Sequence, residues 1–255
     1  MNDGAVSLTR TEDKSETRNL FDNGAWLYAF CRERLFRDHT EEIAHALFPD
    51  GVDSQSVSVL EVGCGPGFYS RRLAQRFPSL RVCGVDQSTR LISWAQGRAC
   101  SDELTNCRFV EGDVEQLSSY MKQVDAVVSS RLLLVVADRS TVISEMFRVL
   151  KPGGRLFLAE PTASFKTQIP ISLMRVVNRF TCPSRRQMIP QTAVILAAQD
   201  FENLIHTQPW KDVSIRMFGD YQCAICEKSA TGHDTRDCSE HRERASVSTT
   251  SRSVA

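Results

Sequence analysis

EVGCGPGF, residues 61–68, sets Gly63, Gly65 and Gly67 at alternate positions directly after an apolar run, and its reading decides the fold. A glycine turn between a first strand and a first helix lets the backbone come close to a ligand and aims the helix N-terminus at it. The flanks agree with that reading. SVSVLEV (56–62) has the composition of a buried strand, and FYSRRLAQRF (68–77) carries Tyr69, Leu73, Ala74 and Phe77 as one helical stripe.

Outward from the turn, strands are expected at RVCGVD (81–86), CRFVEG (107–112), VDAVVSS (124–130) and RLFLAEP (155–161). They alternate with longer segments of helical period, the pattern of βαβ units and a parallel sheet. One such helix, TVISEMFRVL, is expected to end at Lys151-Pro152-Gly153-Gly154, where the chain should stop and turn. VSIRMF (213–218), Gly219-Asp220 and YQCAICEK (221–228) read as two strands closing the sheet in an antiparallel hairpin.

The ends of the chain differ in character. Residues 1–18 and the Ser/Thr/Arg-rich stretch 229–255 have little to bury and are expected to be disordered. Residues 19–50 are expected to form a helical cap on a main domain spanning 51–228, with an insertion at 162–210 acting as a lid.

Lys plus Arg and Asp plus Glu each number 31 in the 255 residues, so the net charge is +0 and no overall field draws nucleic acid or an acidic membrane. The nine cysteines are scattered and odd in number, which suits a reducing compartment. No apolar leader is apparent, and LLLVVA (132–137) is too short to span a bilayer. A cytoplasmic protein without membrane insertion is expected.

The glycine spacing bears on the ligand. A dinucleotide fingerprint needs a third glycine where Phe68 stands, and a phosphate-binding Walker loop needs a Lys-Ser or Lys-Thr pair that does not follow. Asp86, closing the second strand at GVDQS, could accept hydrogen bonds from ribose hydroxyls, a device that nicotinamide enzymes share. Asp113, in EGDVEQL just after the third strand, stands where an adenine amino group could donate to it.

With these segments the chain resembles the class I S-adenosylmethionine-dependent methyltransferases, through LEVGCGPGF, GVDQS, EGDVEQL, VDAVVSS and RVLKPGGRLFLAEP in that order. The likeness covers residues 56–161, with the hairpin matching the family's last two strands, and is strongest to the small-molecule and quinone or lipid branch with its type 11-like domain. It implies an α/β, Rossmann-like, seven-stranded, mostly parallel sheet with a C-terminal antiparallel hairpin and helices on both faces. It also implies S-adenosylmethionine as cofactor. Glu61 would orient the turn or the methionine ammonium, or merely brace the turn; Gly63, Gly65 and Gly67 would lie under methionine and ribose, beside Cys64. Asp86 would take the ribose hydroxyls, Gln87 would flank the adenine, Asp113 and the Val114 backbone would read its edge, and Ser129, Ser130 and Arg131 would close the methionine end.

Methyl transfer from a sulfonium needs chiefly alignment of an acceptor and exclusion of water, so no metal or covalent intermediate is expected. No clear base stands out. The candidates are His206 and Arg131, the latter following the fourth strand, where it could meet a carboxylate or cap the next helix against Asp138. Many relatives carry a histidine pair after the fourth strand; here Leu132-Leu133-Leu134-Val135-Val136 makes an apolar wall. The acceptor pocket is expected between FDNGAWLYAFCRERLF (21–36) and IPISLMRVVNRF (169–180), lined by Trp26, Tyr28, Phe30, Leu173, Met174 and Val177, which suits a small apolar or aromatic acceptor. Cys223 and Cys226 have C-x-x-C spacing, but on a strand they face opposite sides, so no metal is expected there. The protein would act as a monomer or homodimer. The rivals are a non-catalytic cofactor-binding or scaffold protein on the same fold, and a nicotinamide-dependent oxidoreductase, which Phe68 disfavours.

Overall fold

A computed structural model of the chain describes residues 37–52, 57–162 and 195–230. Trp26, Tyr28, Phe30, Leu173, Met174 and Val177, and both tails, lie outside the described residues, as does most of the stretch read as a lid.

The described elements run α1 (Thr40–Leu47), β1 (Ser58–Val62), α2 (Phe68–Arg76), β2 (Arg81–Asp86), α3 (Thr89–Ser101), β3 (Cys107–Glu111), a 3-10 turn (Val114–Ser119), β4 (Val124–Ser130), α4 (Arg139–Val149), β5 (Leu150–Pro161), α5 (Ala198–Ile205), β6 (Trp210–Phe218) and β7 (Tyr221–Lys228). The seven strands form one sheet in the order β3-β2-β1-β4-β5-β7-β6. β1 to β5 pair in parallel, while β7 is antiparallel to both β5 and β6. The carboxyl ends of β1, β2, β3, β4 and β5 therefore share one edge, and the reversal of strand order between β1 and β4 opens the crevice where such sheets bind ligands.

Both faces are covered, which is why the central strands read as near-continuous apolar runs. On one face Leu60, Val62, Val127, Leu156 and Leu158 pack with Val142, Ile143 and Met146 of α4 and with Phe201 and Ile205 of α5. On the other, Val59, Val82, Val128 and Phe157 pack with Ile43 and Leu47 of α1 and with Tyr69 and Leu73 of α2. Residues 198–205 are thus a core helix, so the stretch expected as a lid ends earlier than residue 210. Its apolar residues, spaced at one helical turn, serve the sheet.

One other expectation is corrected. The chain does not turn away at Lys151-Pro152-Gly153-Gly154. Leu150 already pairs with Val124, and the next registered pair is Arg155 with Ala126, so these four residues form a bulge inside β5. Gly154 is needed there because a Cβ would lie 2.9 Å from the carbonyl oxygens of Asp125 and Lys151. Cys223 and Cys226 do fall on opposite faces, one in each of the two large clusters. Among the described residues, no helix is long and apolar enough to cross a membrane.

Candidate functional site

The glycine turn sits on the shared carboxyl edge. Gly63, Gly65 and Gly67 all have positive φ, of 70°, 52° and 73°, a conformation that costs any residue with a Cβ about 1–2 kcal/mol. Close approach adds to the requirement. A Cβ on Gly67 would lie 2.5 Å from the Phe109 ring, and one on Gly63 would lie 2.7 Å from Leu132 Cδ1. Leu132, Leu133 and Leu134 are all buried, so the segment after β4 is the apolar wall its sequence suggests, and it presses on the first glycine of the turn.

The turn's own donors are spent inside the protein. Gly63 and Cys64 N–H both donate to the Val85 carbonyl, Gly67 N–H donates to the Cys64 carbonyl, and Gly65 N–H donates to Asp86 Oδ2 at 2.8 Å. Pro66 has no N–H. Glu61, buried behind the turn, accepts the Ser70 N–H at 2.7 Å and the Ser70 hydroxyl, so its carboxylate already occupies the anion position at the start of α2. A pyrophosphate would need those N–H groups. What the turn offers a ligand is close backbone approach, which suits an uncharged nucleoside better than a phosphate.

Asp86 Oδ1 accepts the Ser88 N–H at 2.9 Å, so this one carboxylate braces the turn and the start of α3 together. It remains half-buried at the end of β2, with Gln87 beside it. Asp113 caps the 3-10 turn through Glu115 N–H at 3.0 Å and also accepts from the Gln116 amide, and Val114 follows it into the core. Tyr120 folds back over Gly112 and donates to the Asp113 carbonyl at 2.8 Å; burial first, then the Asp113 charge, pushes its phenol up to about 12.

Cys64 turns its side chain away from the edge. Its sulfur packs under the turn against Gly84 and beside Ala95 and Phe109, and burial, then the Asp86 charge, drives its thiol well above the ordinary range.

At the end of β4, the Ser129 hydroxyl donates to the Val62 carbonyl at 2.9 Å, tying β4 to β1, while the buried Ser130 hydroxyl has no hydrogen-bond partner among the described residues. Arg131 is 8% exposed at φ 63° and its Nη1 donates to the Tyr221 hydroxyl at 2.8 Å. Asp138 caps α4 from its own side chain, accepting the Thr141 N–H at 3.0 Å.

His206 lies away from the glycine turn. It caps the C-terminus of α5, just before Trp210, and Trp210 pairs with Lys228 at the end of β7 that lies beside Arg155 and the start of β5. The strand from Arg155 to Pro161 separates it from the carboxyl edge by roughly 20 Å.

Sequence reasoning missed Glu160, His39 and Tyr221. Glu160 closes RLFLAEP and is 2% exposed; the signal was a carboxylate ending a strand buried on both faces. His39 is buried with its ring 4.8 Å from that of Tyr221, and its backbone N–H donates to the Tyr69 hydroxyl at 3.3 Å. Nothing local in the sequence announced this, because β7, α1 and α2 meet only in the fold. Among the described residues no group of three or more His, Cys, Asp or Glu could hold a metal ion.

Residues 59–154 match a family model described as a methyltransferase domain. Among curated proteins, a malonyl-[acyl-carrier protein] O-methyltransferase of Priestia megaterium is 27% identical over 150 residues, covering 58% of this chain and 52% of that protein. A trans-aconitate 2-methyltransferase of Deinococcus radiodurans is 33% identical over 116 residues, covering 46% and 41%. The chain thus spans about half or less of the length of these relatives. Among solved structures, the magnesium protoporphyrin IX methyltransferase of Synechocystis PCC 6803 with bound SAH superposes with TM-score 0.61 at 17% identity, covering 85% of this chain and all of that one, a likeness of fold. The glycine turn and the two strand-end carboxylates lie inside the matched stretch, so residues 59–154 are similar in sequence to a methyltransferase domain.

Proposed function

We propose that the protein binds S-adenosylmethionine across the carboxyl ends of β1, β2 and β3 and transfers its methyl group in line to a small-molecule acceptor held over β4 and β5. The observation that carries the reading is the turn itself: three positive-φ glycines with their N–H groups spent internally, flanked by carboxylates at the ends of β2 and β3. That set fits a nucleoside with a short zwitterionic arm and not a dinucleotide. Gly63, Gly65 and Gly67 would lie under the methionine and ribose, and Asp86 would accept from the ribose hydroxyls with the lone pairs left after Gly65 and Ser88. Gln87, Asp113 and Val114 would frame the adenine, while Ser129, Ser130 and Arg131 would face the methionine end. Glu61 would act through Ser70 by fixing the entry of α2, and Cys64 by supporting the turn from below.

When bound, the cofactor supplies an electrophilic methyl on a sulfonium, so the protein needs to align an acceptor and keep water out. The wall of Leu132, Leu133 and Leu134 supports water exclusion, and favours an apolar or aromatic acceptor. Arg131 favours a second reading. A buried guanidinium at the carboxyl edge could seat an acceptor bearing a carboxylate, in keeping with a relative that acts on trans-aconitate.

The test is calorimetric titration of S-adenosylmethionine into the wild-type protein and Asp86→Ala. Loss of about 1.5–3 kcal/mol, roughly ten- to a hundredfold in Kd, is expected, because charge-assisted hydrogen bonds are on that scale. Equal affinity in the variant would overturn the site. Transfer of labelled methyl into the organic-soluble fraction of a cell extract supports the apolar acceptor, and into small aqueous acids the second reading.

A further inference from the structure

We propose that Glu160 is a positioning residue for this site, locking the segment that follows β4 against β5 and thereby setting the glycine turn. The inference rests on the reading above only for the ligand used in one arm of its test.

The segment is strained and needs holding. Arg131 has φ 63° without being glycine, a conformation that persists only where its surroundings enforce it. Four contacts do so. Arg131 N–H donates to the Ala159 carbonyl at 2.9 Å and its guanidinium to Tyr221 at 2.8 Å; Arg139 Nε donates to the Leu133 carbonyl at 2.7 Å. The fourth is Glu160 Oε1, which accepts the Leu133 N–H at 2.8 Å. Between Arg131 and Leu133 lies Leu132, whose side chain leaves no room for a Cβ on Gly63. A chain of contacts therefore runs from Glu160 through the Leu133 amide and Leu132 to the first glycine of the turn.

Glu160 is a costly way to hold the backbone at Leu132 and Leu133: it is 2% exposed, and among the described residues its Oε2 has no partner in hydrogen-bond geometry. Among the described residues, the charged and titratable groups that face it are Arg131, Arg139 and Cys223. Burial pushes its carboxyl up to about 7, against the pull of the Leu133 N–H, Arg131, the Leu132 backbone and Arg139. Burial pushes the Cys223 thiol up to about 12, so it stays neutral. Glu160 is thus the group in this cluster that changes charge near neutral pH, and its charged form grips the amide and Arg131 more strongly.

The sign for stability runs the other way. A carboxyl with a raised folded pKa contributes stability that is full below its unfolded value and is lost as pH rises through the folded value, here between about 4.5 and 7. A residue kept only for stability would not be charged in this position, and an amide should serve the fold better above pH 7.

The experiment compares the wild-type protein with Glu160→Gln from pH 5.5 to 8.5. The first arm needs no ligand: amide hydrogen exchange at residues 131–134, corrected for intrinsic rates, together with thermal melting. The segment of the wild-type protein should become more protected as pH rises through about 7, that of the variant should not, and the variant should melt higher at pH 8. The second arm measures affinity for S-adenosylhomocysteine by calorimetry. Wild-type affinity should rise about fivefold or more between pH 6 and 8, the low end of coupling between two sites, and the variant should show no such rise. A protection inflection that survives in Glu160→Gln, or a variant that only melts lower with wild-type affinity, overturns the proposal. Absence of binding by both proteins, with the exchange difference intact, would remove the cofactor reading and leave the lock standing.

Discussion

Gly67→Ala isolates what the glycine turn requires, and the structure supplies its own controls. At Gly67 a methyl group meets two obstacles: φ is +73°, and the new Cβ would lie 2.5 Å from the Phe109 ring and 2.9 Å from Ala95 Cβ. The first costs about 1–2 kcal/mol and the second, an overpacked core contact, about 1–3 kcal/mol, so the sum is about 2–5 kcal/mol. Gly153 shares the first obstacle, with φ +76°, but its nearest neighbour is Ala230 Cβ at 4.0 Å, so Gly153→Ala should cost only about 1–2 kcal/mol. Gly97 faces solvent inside α3 with nothing within 4 Å, and Gly97→Ala should stabilise by about 0.4–1 kcal/mol through the unfolded chain. Urea unfolding of the three variants reads all three values on one scale. If Gly67→Ala costs no more than Gly153→Ala, the close packing of the turn on Phe109 is wrong.

Two further outcomes concern the fold. Asn106 Nδ2 reaches the carbonyl oxygens of Ala74 at 3.0 Å and Leu80 at 3.1 Å, tying the end of α2 to the entry of β2, so Asn106→Ala should lose about 1–3 kcal/mol in urea unfolding; a loss within 0.5 kcal/mol of zero, about the scatter of surface substitutions, would contradict that role. Glu145 joins α4 to the 3-10 turn by accepting the Ser118 N–H at 2.7 Å. Burial alone would raise its carboxyl, but Ser118 and Arg148 outweigh it and hold the group below its ordinary 4.5. A lowered folded pKa stabilises above the unfolded value and is lost as pH falls through the folded one. Wild-type stability should therefore decline more steeply below about pH 4.5 than that of Glu145→Gln, and parallel acid melting profiles would refute the assignment.

The sequence alone determined the sheet and its turn. β1, β2, β4, β5 and β7 are buried on both faces over much of their length, so their apolar runs announce them, and the glycine turn announces itself because φ near +70° and contact with Phe109 admit no other residue cheaply. Asp86 and Asp113 were legible for the same local reason, each being a polar residue where a strand ends. Only the tertiary structure decided what the charged groups do. Glu61 and Asp86 proved to brace backbone N–H groups 9 and 21 residues away, a fact carried by no spacing within one segment. The antiparallel return of β6 sets His206 at the far end of the sheet, and α5, expected within the lid, sends Phe201 and Ile205 into the core. Glu160 gained its partners from Leu133, Arg131 and Arg139 because parallel pairing of β4 with β5 brings the two strand ends side by side. Local pattern fixes which residues are buried, whereas the partner of a buried charge depends on strand order and direction, which the chain settles only when it folds.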